Sequence, residues 1–393
     1  MYVHVPFCER ICPYCDFPVV AARALGAELE SRYVDTLLRE LEARVPAFPD
    51  RSLASVYFGG GTPALFQPAS IERVLRAVAS YFPPGEGSND VEVTLELNPS
   101  TVERDRLADF RRVGVNRLSI GIQSFHDEFL KRLGRAHRAG VARDTLATAR
   151  RAGFANVSID LMFALPGQTI GQLDRDLEEA IDWSPMHLST YELTLEPGTP
   201  FGRAFAAGRM AAFDEDLAAR MIERIEERLD RSDYVRYEIS NYAQVGFRSR
   251  HNARYWQRQA VLGIGMGSHS FDPRTRDRPH GRRRSNPRTL NAWLEAIGGP
   301  SPQVGSAEEL TAATARGEAM FLGLRQREGV SASRFEAEFG AVPRRFFDSE
   351  IEIAVASGWL EEGVACFGDL RLTSAGRLQA DTVAALFVEP PGD

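Results

Sequence analysis

Short apolar, β-branched runs at 2–6, 53–58, 91–97, 116–122, 156–162 and 187–193 alternate with longer amphipathic stretches at 28–45, 69–82, 101–113, 126–151 and 169–183. Strand-like and helix-like patterns that alternate in this way predict βα units and a parallel sheet, an α/β fold. Six repeats suit an open, partial (β/α)6 barrel better than a closed eight-stranded one. A doubly wound sheet is also compatible with the pattern. Punctuation agrees with the parse. Asn98-Pro99-Ser100-Thr101 offers helix caps with Glu103 in the first turn, Pro166-Gly167-Gln168-Thr169 ends one strand and opens a helix, and Pro197-Gly198-Thr199-Pro200 is a loop.

Beyond 200 the rhythm changes. A charged amphipathic helix is expected over 213–231, with short strands at 234–239 and 261–264. The Arg-, Pro- and Asp-rich stretch 272–288, centred on Arg282-Arg283-Arg284, reads as an exposed loop or linker. After about 305 the pattern is helical again, with a hairpin signal at Gly368-Asp369 and a helix-like stretch over 374–387. Helices followed by a small hairpin predict an α+β, winged-helix-like extension. The expected division is a core over 1–235, an extension and linker over 236–304, and a C-terminal domain over 305–393.

The length of 393 residues suits one large domain and a smaller one. The formal charge of −7 argues weakly against nucleic acid as the main partner. No apolar run approaches the roughly 18–20 residues of a transmembrane span. The chain begins on a strand-like run, Tyr2-Val3-His4-Val5, with no signal-peptide pattern before it, so a cytoplasmic address is expected. Peripheral contact with a membrane is compatible with these features.

Cysteine usage sharpens the picture. Three of four cysteines, Cys8, Cys12 and Cys15, fall in one C-x3-C-x2-C loop after the first strand; Cys366 stands alone and reads as a plain thiol. Clustered cysteines point to metal or redox chemistry rather than to a disulfide framework. Three thiolates can hold three irons of a cubane and leave the fourth open to a small molecule. A structural zinc site completed by His4 or Asp16 is the bland alternative, although zinc cysteines usually come in separated pairs.

The other unusual polar residues fall at strand ends. Gly59-Gly60-Gly61-Thr62-Pro63 follows the second strand, Glu96 ends the third, Gln123 ends the fourth and Asp160 sits late in the fifth. In a βα barrel these ends share one rim, where active sites are built. Taken singly, the glycines read as a turn and Gln123 or Asp160 as satisfied core groups.

These residues resemble a known family. Tyr2-Val3-His4-Val5-Pro6-Phe7-Cys8 through Cys15-Asp16-Phe17, Gly59–Pro63, Ser119–Phe125, Asp160-Leu161 with Leu165–Thr169, and Glu196–Pro200 are similar to the radical S-adenosylmethionine (SAM) proteins related to oxygen-independent coproporphyrinogen III oxidase. The resemblance implies a 4Fe–4S cluster on Cys8, Cys12 and Cys15. It implies a SAM site lined by Tyr2, Tyr14, Gly60, Gly61 and Thr62, with Glu96 on the methionyl amine. Arg135, in Gly134-Arg135-Ala136-His137, would take the SAM carboxylate, and Gln123 and Asp160 the ribose hydroxyls. Without the resemblance Arg135 reads as a surface helix charge.

Two departures separate the chain from the oxidase. Phe17 stands where the oxidase motif continues to a fourth cysteine, and the oxidase's N-terminal extension is missing. Both resemble the heme-chaperone branch of the family. So does His251-Asn252-Ala253-Arg254-Tyr255-Trp256, preceded by Glu238-Ile239-Ser240-Asn241-Tyr242. An imidazole can be an axial iron ligand, which makes His251 a candidate heme ligand beside Tyr255 and Trp256. His269 and His4 are weaker candidates. Arg282–Arg284 could meet heme propionates or simply be solvated. The implied function is heme binding and transfer to acceptor proteins, with decarboxylation of porphyrinogen propionates, or radical chemistry on another substrate, as alternatives.

Overall fold

The computed structural model describes residues 1–22, 25–50, 52–83, 91–100, 104–210, 214–299, 301–302, 305–363, 366 and 368–388. The expected cap at Thr101 and first-turn Glu103 lie outside them, as does position 213. The chain opens with β1 (Tyr2–Val5), then β2 (Phe7–Cys8), which pairs in parallel with β3 (Val20–Ala21) and closes the cysteine loop. Next come β4 (Ser55–Gly60), β5 (Glu92–Leu97), β6 (Arg117–Gln123), β7 (Asn156–Phe163) and β8 (His187–Glu192). Strands β1, β4, β5, β6, β7 and β8 lie side by side in sequence order, all parallel. The sheet is extended by β9 (Val235–Arg236) and β10 (Asn241–Ala243) beyond β8, antiparallel, and by β11 (Gly263–Ile264) beyond β1, parallel, giving nine strands.

Parallel strands covered on both faces read as continuous apolar runs. In β6 every residue but the last is buried, which is why its polar end, Gln123, stands out in the sequence. Helices Ala27–Arg44, Pro68–Tyr81, Ala139–Arg151 and Ile170–Asp182 supply the connections. The last opens at Thr169, where the sequence ends one strand and starts a helix, and carries a complete capping box between Thr169 and Gln172. The main core lies between sheet and helices; a second core gathers Met320, Leu324, Phe335, Ile351, Leu360, Leu372 and Phe387 in the C-terminal part. That part consists of helices Ala312–Leu324, Ala332–Phe339 and Arg344–Ala356, a hairpin of β15 (Leu360–Glu362) and β16 (Leu370–Leu372), and two short helices, Ser374–Leu378 and Ala380–Ala385. The single helix expected over 374–387 is thus two. No helix of the described residues is long and apolar enough to cross a membrane.

Two further expectations are corrected. The helix predicted over 126–151 is broken into Asp127–Arg132 and Ala139–Arg151. Gly134, at φ +67°, turns the chain out of the first helix, and Arg135 falls in the break rather than on a helix face. The stretch 272–288 is no simple loop either. It contains β13 (Arg282–Ser285), the central strand of an antiparallel sheet with β12 (His269–Asp272) and β14 (Ser306–Glu309). Arg282 and Arg284, two apart and so on one face, both reach the fully buried Asp272 at 2.8 Å, and Arg44 joins them at 2.8 Å. Arg283 turns the other way, toward Glu308 and Glu318. The basic run is therefore an ion-pair network, not a solvated linker or an open propionate clamp.

Candidate functional site

The C-terminal ends of the parallel strands surround a pocket of about 460 Å³. It is lined by Cys8, Cys12, Cys15, Tyr14, Gly60, Gly61, Glu96, Gln123, Arg135 and Asp160, together with residues the sequence did not single out, among them Asn98, Ser119, Met162 and Tyr191. Ten of the thirteen residues picked from sequence thus converge. Tyr2 does not; its ring faces a neighbouring cleft. Thr62 is buried beneath the pocket, donating to Cys8 Sγ at 3.8 Å.

The glycine triplet closes β4, whose last two residues are Gly59 and Gly60, because nothing larger fits. A Cβ at Gly61 would lie 2.7–2.8 Å from the backbone of Pro6 and Phe7. At Gly60, whose φ is +112°, it would lie 2.4 Å from the ring of His4, which is held by Tyr2 and by the carbonyl of Pro18. The cysteine loop can therefore sit directly on the strand ends: Gly61 N–H donates to Val5 O at 2.9 Å and Thr62 N–H to Phe7 O at 2.8 Å.

Glu96 accepts from Tyr57 Oη at 2.7 Å and from Gly60 N–H at 3.0 Å. Burial outweighs these bonds and, with Asp160 nearby, lifts its carboxyl to about 7. Asp160 accepts from Ser119 Oγ at 2.9 Å and Ser158 Oγ at 3.1 Å, and burial raises it too. Gln123 has φ 68°, at a register shift between β6 and β7; such bulges re-aim a side chain, and this one turns the strand's last residue into the pocket. Arg135 donates to Gly121 O at 2.8 Å, to Asn98 Oδ1, and to Cys12 Sγ at 3.6 Å, while its Nε has no partner among the described residues. Asn98 reads in sequence only as a cap, yet it bridges Arg135 and Thr62, donating to Thr62 Oγ1 at 2.7 Å. No local pattern signals that role.

These residues fit the cofactors that the sequence implies. Among the described residues no three His, Cys, Asp or Glu side chains converge on one point, as a single metal ion would require. Three irons of a cubane each take their own thiolate and need no such convergence. Burial, the leading cause, pushes the Cys8 thiol up to about 11 and raises Cys15. Bound iron reverses that preference by supplying the charge a thiolate needs. A pocket offering a carboxylate on one wall and a guanidinium with an unpaired buried N–H on another matches a ligand carrying both an ammonium and a carboxylate.

His251 is corrected by the structure. It is 1% exposed, stacked on Tyr57 at 4.9 Å, with Nδ1 3.1 Å from Ser55 Oγ and Nε2 3.2 Å from Tyr255 Oη. Burial keeps it neutral. Both nitrogens are engaged, and Ser55 opens β4 whereas the pocket lies at its other end. A ring so enclosed presents no lone pair to an incoming iron. His4 is likewise buried with both nitrogens engaged.

Known proteins resemble this chain over most of its length. Residues 2–180 match the Radical SAM superfamily and residues 310–378 the HemN C-terminal domain. The chain is 30% identical to the "Heme chaperone HemW" of Bacillus subtilis over 98% of both chains. It is 39% identical to that of Escherichia coli over 68% of this chain and 69% of the relative. The solved structure of coproporphyrinogen III oxidase (HemN) from Escherichia coli, a radical SAM enzyme, superposes with a TM-score of 0.78 at 22% identity, covering 98% of this chain and 89% of that one, which speaks to fold alone. The chain therefore belongs to the radical SAM superfamily and, within it, to the HemW family.

Proposed function

We propose that this protein is a cytoplasmic heme chaperone that takes up heme and passes it to acceptor proteins. In this reading Cys8, Cys12 and Cys15 carry a 4Fe–4S cluster beside a SAM site. The observation that carries the reading is a cleft of about 330 Å³ next to the cluster pocket, with which it shares Asp16, Phe17, Gly60 and Glu96. Part of its edge is apolar: Phe17 is 62% exposed and Tyr255 37%. Large exposed apolar side chains grouped at a cleft mark a binding site for an apolar ligand, and heme is a broad apolar plane with a charged edge. Phe17 occupies the position where a fourth loop cysteine would stand, which supports carriage over decarboxylation.

The cluster, when bound, supplies an open iron and an electron to SAM. The chain's own part is placement. Glu96 pairs with the methionyl ammonium, Arg135 with the carboxylate, and Gln123 and Asp160 with the ribose, while Gly60 and Gly61 let backbone approach. Tyr14 and Thr62 brace the loop, and Tyr2 lines the adjoining cleft. The parallel strands are read as a partial (β/α)6 barrel over 1–235, followed by an extension over 236–304 and a winged-helix-like domain from 305.

The test is anaerobic reconstitution of the full chain, heme titration, and transfer to an apo-heme protein. Saturable heme binding followed by transfer is expected. Absence of binding, or rapid turnover of coproporphyrinogen with dithionite and SAM, overturns the reading.

Glu96 gives a further expectation. Free Glu96 titrates at about 7, and only its carboxylate form attracts an ammonium. SAM affinity is highest just above that value, where the ligand's α-amino group is still charged, and falls as pH drops through it, by about tenfold per pH unit once Glu96 is mostly protonated. Equilibrium binding of SAM to reconstituted protein measures this. Glu96→Gln binds more weakly at about pH 7.5 and shows no such slope toward acid; a wild-type affinity that is flat from about pH 7.5 to about pH 5.5 contradicts the assignment.

A further inference from the structure

The cleft beside the cluster pocket contains one imidazole that differs from the others around it. His269, the first residue of β12, is exposed and lines the cleft with Tyr2, Phe17, Tyr255 and Arg288. Its side chain has no hydrogen-bond partner among the described residues, whereas His4, which also lines the cleft, and His251 have both ring nitrogens engaged. A free lone pair on an accessible ring is what an incoming metal needs.

The surroundings fix His269 at the mouth. The turn before it is pressed on the cysteine loop: Gly267 has φ +65°, and a Cβ there would meet Pro18 at 2.4 Å. Arg288 lies at the same opening, exposed, and donates one N–H to Asp16 O at 3.1 Å. A guanidinium has five donors, so a carboxylate can still pair with it. Apolar Phe17 and Tyr255, a free imidazole and a guanidinium thus share one cleft. They match, part for part, a porphyrin plane, its iron and its propionate edge.

We propose that His269 is the axial ligand through which this protein holds heme iron in the cleft between the cysteine loop and β12, with Arg288 pairing a propionate. This rests on the heme-chaperone reading and names the site where the cargo sits. The bond formed is a dative one from an imidazole nitrogen to iron, with no change of oxidation state.

The experiment is titration of the full-length, cluster-reconstituted chain with ferric heme, followed by difference absorbance and low-temperature EPR, for wild type, His269→Ala and Arg288→Ala. His269→Ala is expected to lose the imidazole-ligated ferric-heme signal and at least about tenfold in affinity, since even loss of a ligand's supporting partner costs that much. Free imidazole should restore the signal. Arg288→Ala should weaken binding while keeping the signal. Because a poorly folded variant would also lose heme, cluster content and imidazole rescue are read on the same sample. Failure of rescue with the cluster intact counts against the proposal. If wild type binds heme and His269→Ala gives the same spectrum and affinity, His269 is not the ligand and the chaperone reading stands. If wild type binds no heme, both fall.

Discussion

Replacing Cys12 with serine is expected to yield a folded chain that retains less than about a tenth of the wild-type iron and sulfide after anaerobic reconstitution. Its dithionite-reduced EPR spectrum should not respond to SAM. Serine keeps the shape of the side chain and removes the soft thiolate that iron requires. Losing one of three ligands exceeds the roughly 10–100-fold loss seen when only an outer partner of a ligand is removed. The fold should survive, because Cys12 is only half-buried and its loop is tied down elsewhere. Cys15 N–H donates to Cys12 O at 3.1 Å, Val20 N–H to Pro6 O at 2.8 Å, and Phe201 N–H to Pro13 O at 2.9 Å. An unchanged thermal melt with lost iron supports the assignment. Full iron content with a wild-type SAM response would show that the three cysteines do not hold the cluster.

The largest expected loss of stability comes from Asp272→Ala. The carboxylate is fully buried and receives Arg44, Arg282 and Arg284. Removing it leaves Arg44, itself 4% exposed, without its partner at 2.8 Å. Breaking a buried ion pair on one side costs about 3–5 kcal/mol; because Arg282 and Arg284 retain some solvent, the lower figure is expected. The urea midpoint should fall at unchanged m-value. The sign with pH follows from the carboxyl's position. Burial by itself would raise its pKa, but Arg284, Arg44 and Arg282 together outweigh burial and hold it below the ordinary carboxylate range. Its stabilisation is therefore fully present above the unfolded value of about 3.9 and is lost as pH falls through the depressed native one. The gap between wild type and variant should stay constant near neutrality and close in acid. A gap that widens in acid would refute the network.

Much of the architecture was legible locally. The six parallel strands lie within a residue or two of their apolar runs, and the helix opening at Thr169 and the hairpin at Gly368-Asp369 form where the sequence puts them. The cysteine spacing and the polar residues at strand ends were enough to name Cys8, Cys12, Cys15, Glu96, Gln123 and Asp160, because a polar residue closing an apolar run has one direction to face once helices cover both sides of the sheet. Where local reading failed, the deciding partner was distant. Arg135 looked like a helix charge because the break at Gly134 interrupts an otherwise amphipathic stretch, and its partner Asn98 lies 37 positions earlier. The arginine run looked solvated because Asp272 can gather it only through pairing of β12 with β13.

The sequence by itself determined the strand-and-helix alternation, the clustering of the three cysteines in one loop and the family. These are properties of periodicity and short spacing, carried by neighbouring residues. Only the tertiary structure decided which polar groups are spent on each other and which remain open. His251 is consumed by Ser55, 196 positions away, and Glu40 by Gly265, Trp293 and Asn286, more than two hundred positions on, whereas His269 is left facing a cleft. Burial and hydrogen-bond saturation depend on what the folded chain brings alongside a residue, and no local pattern encodes that.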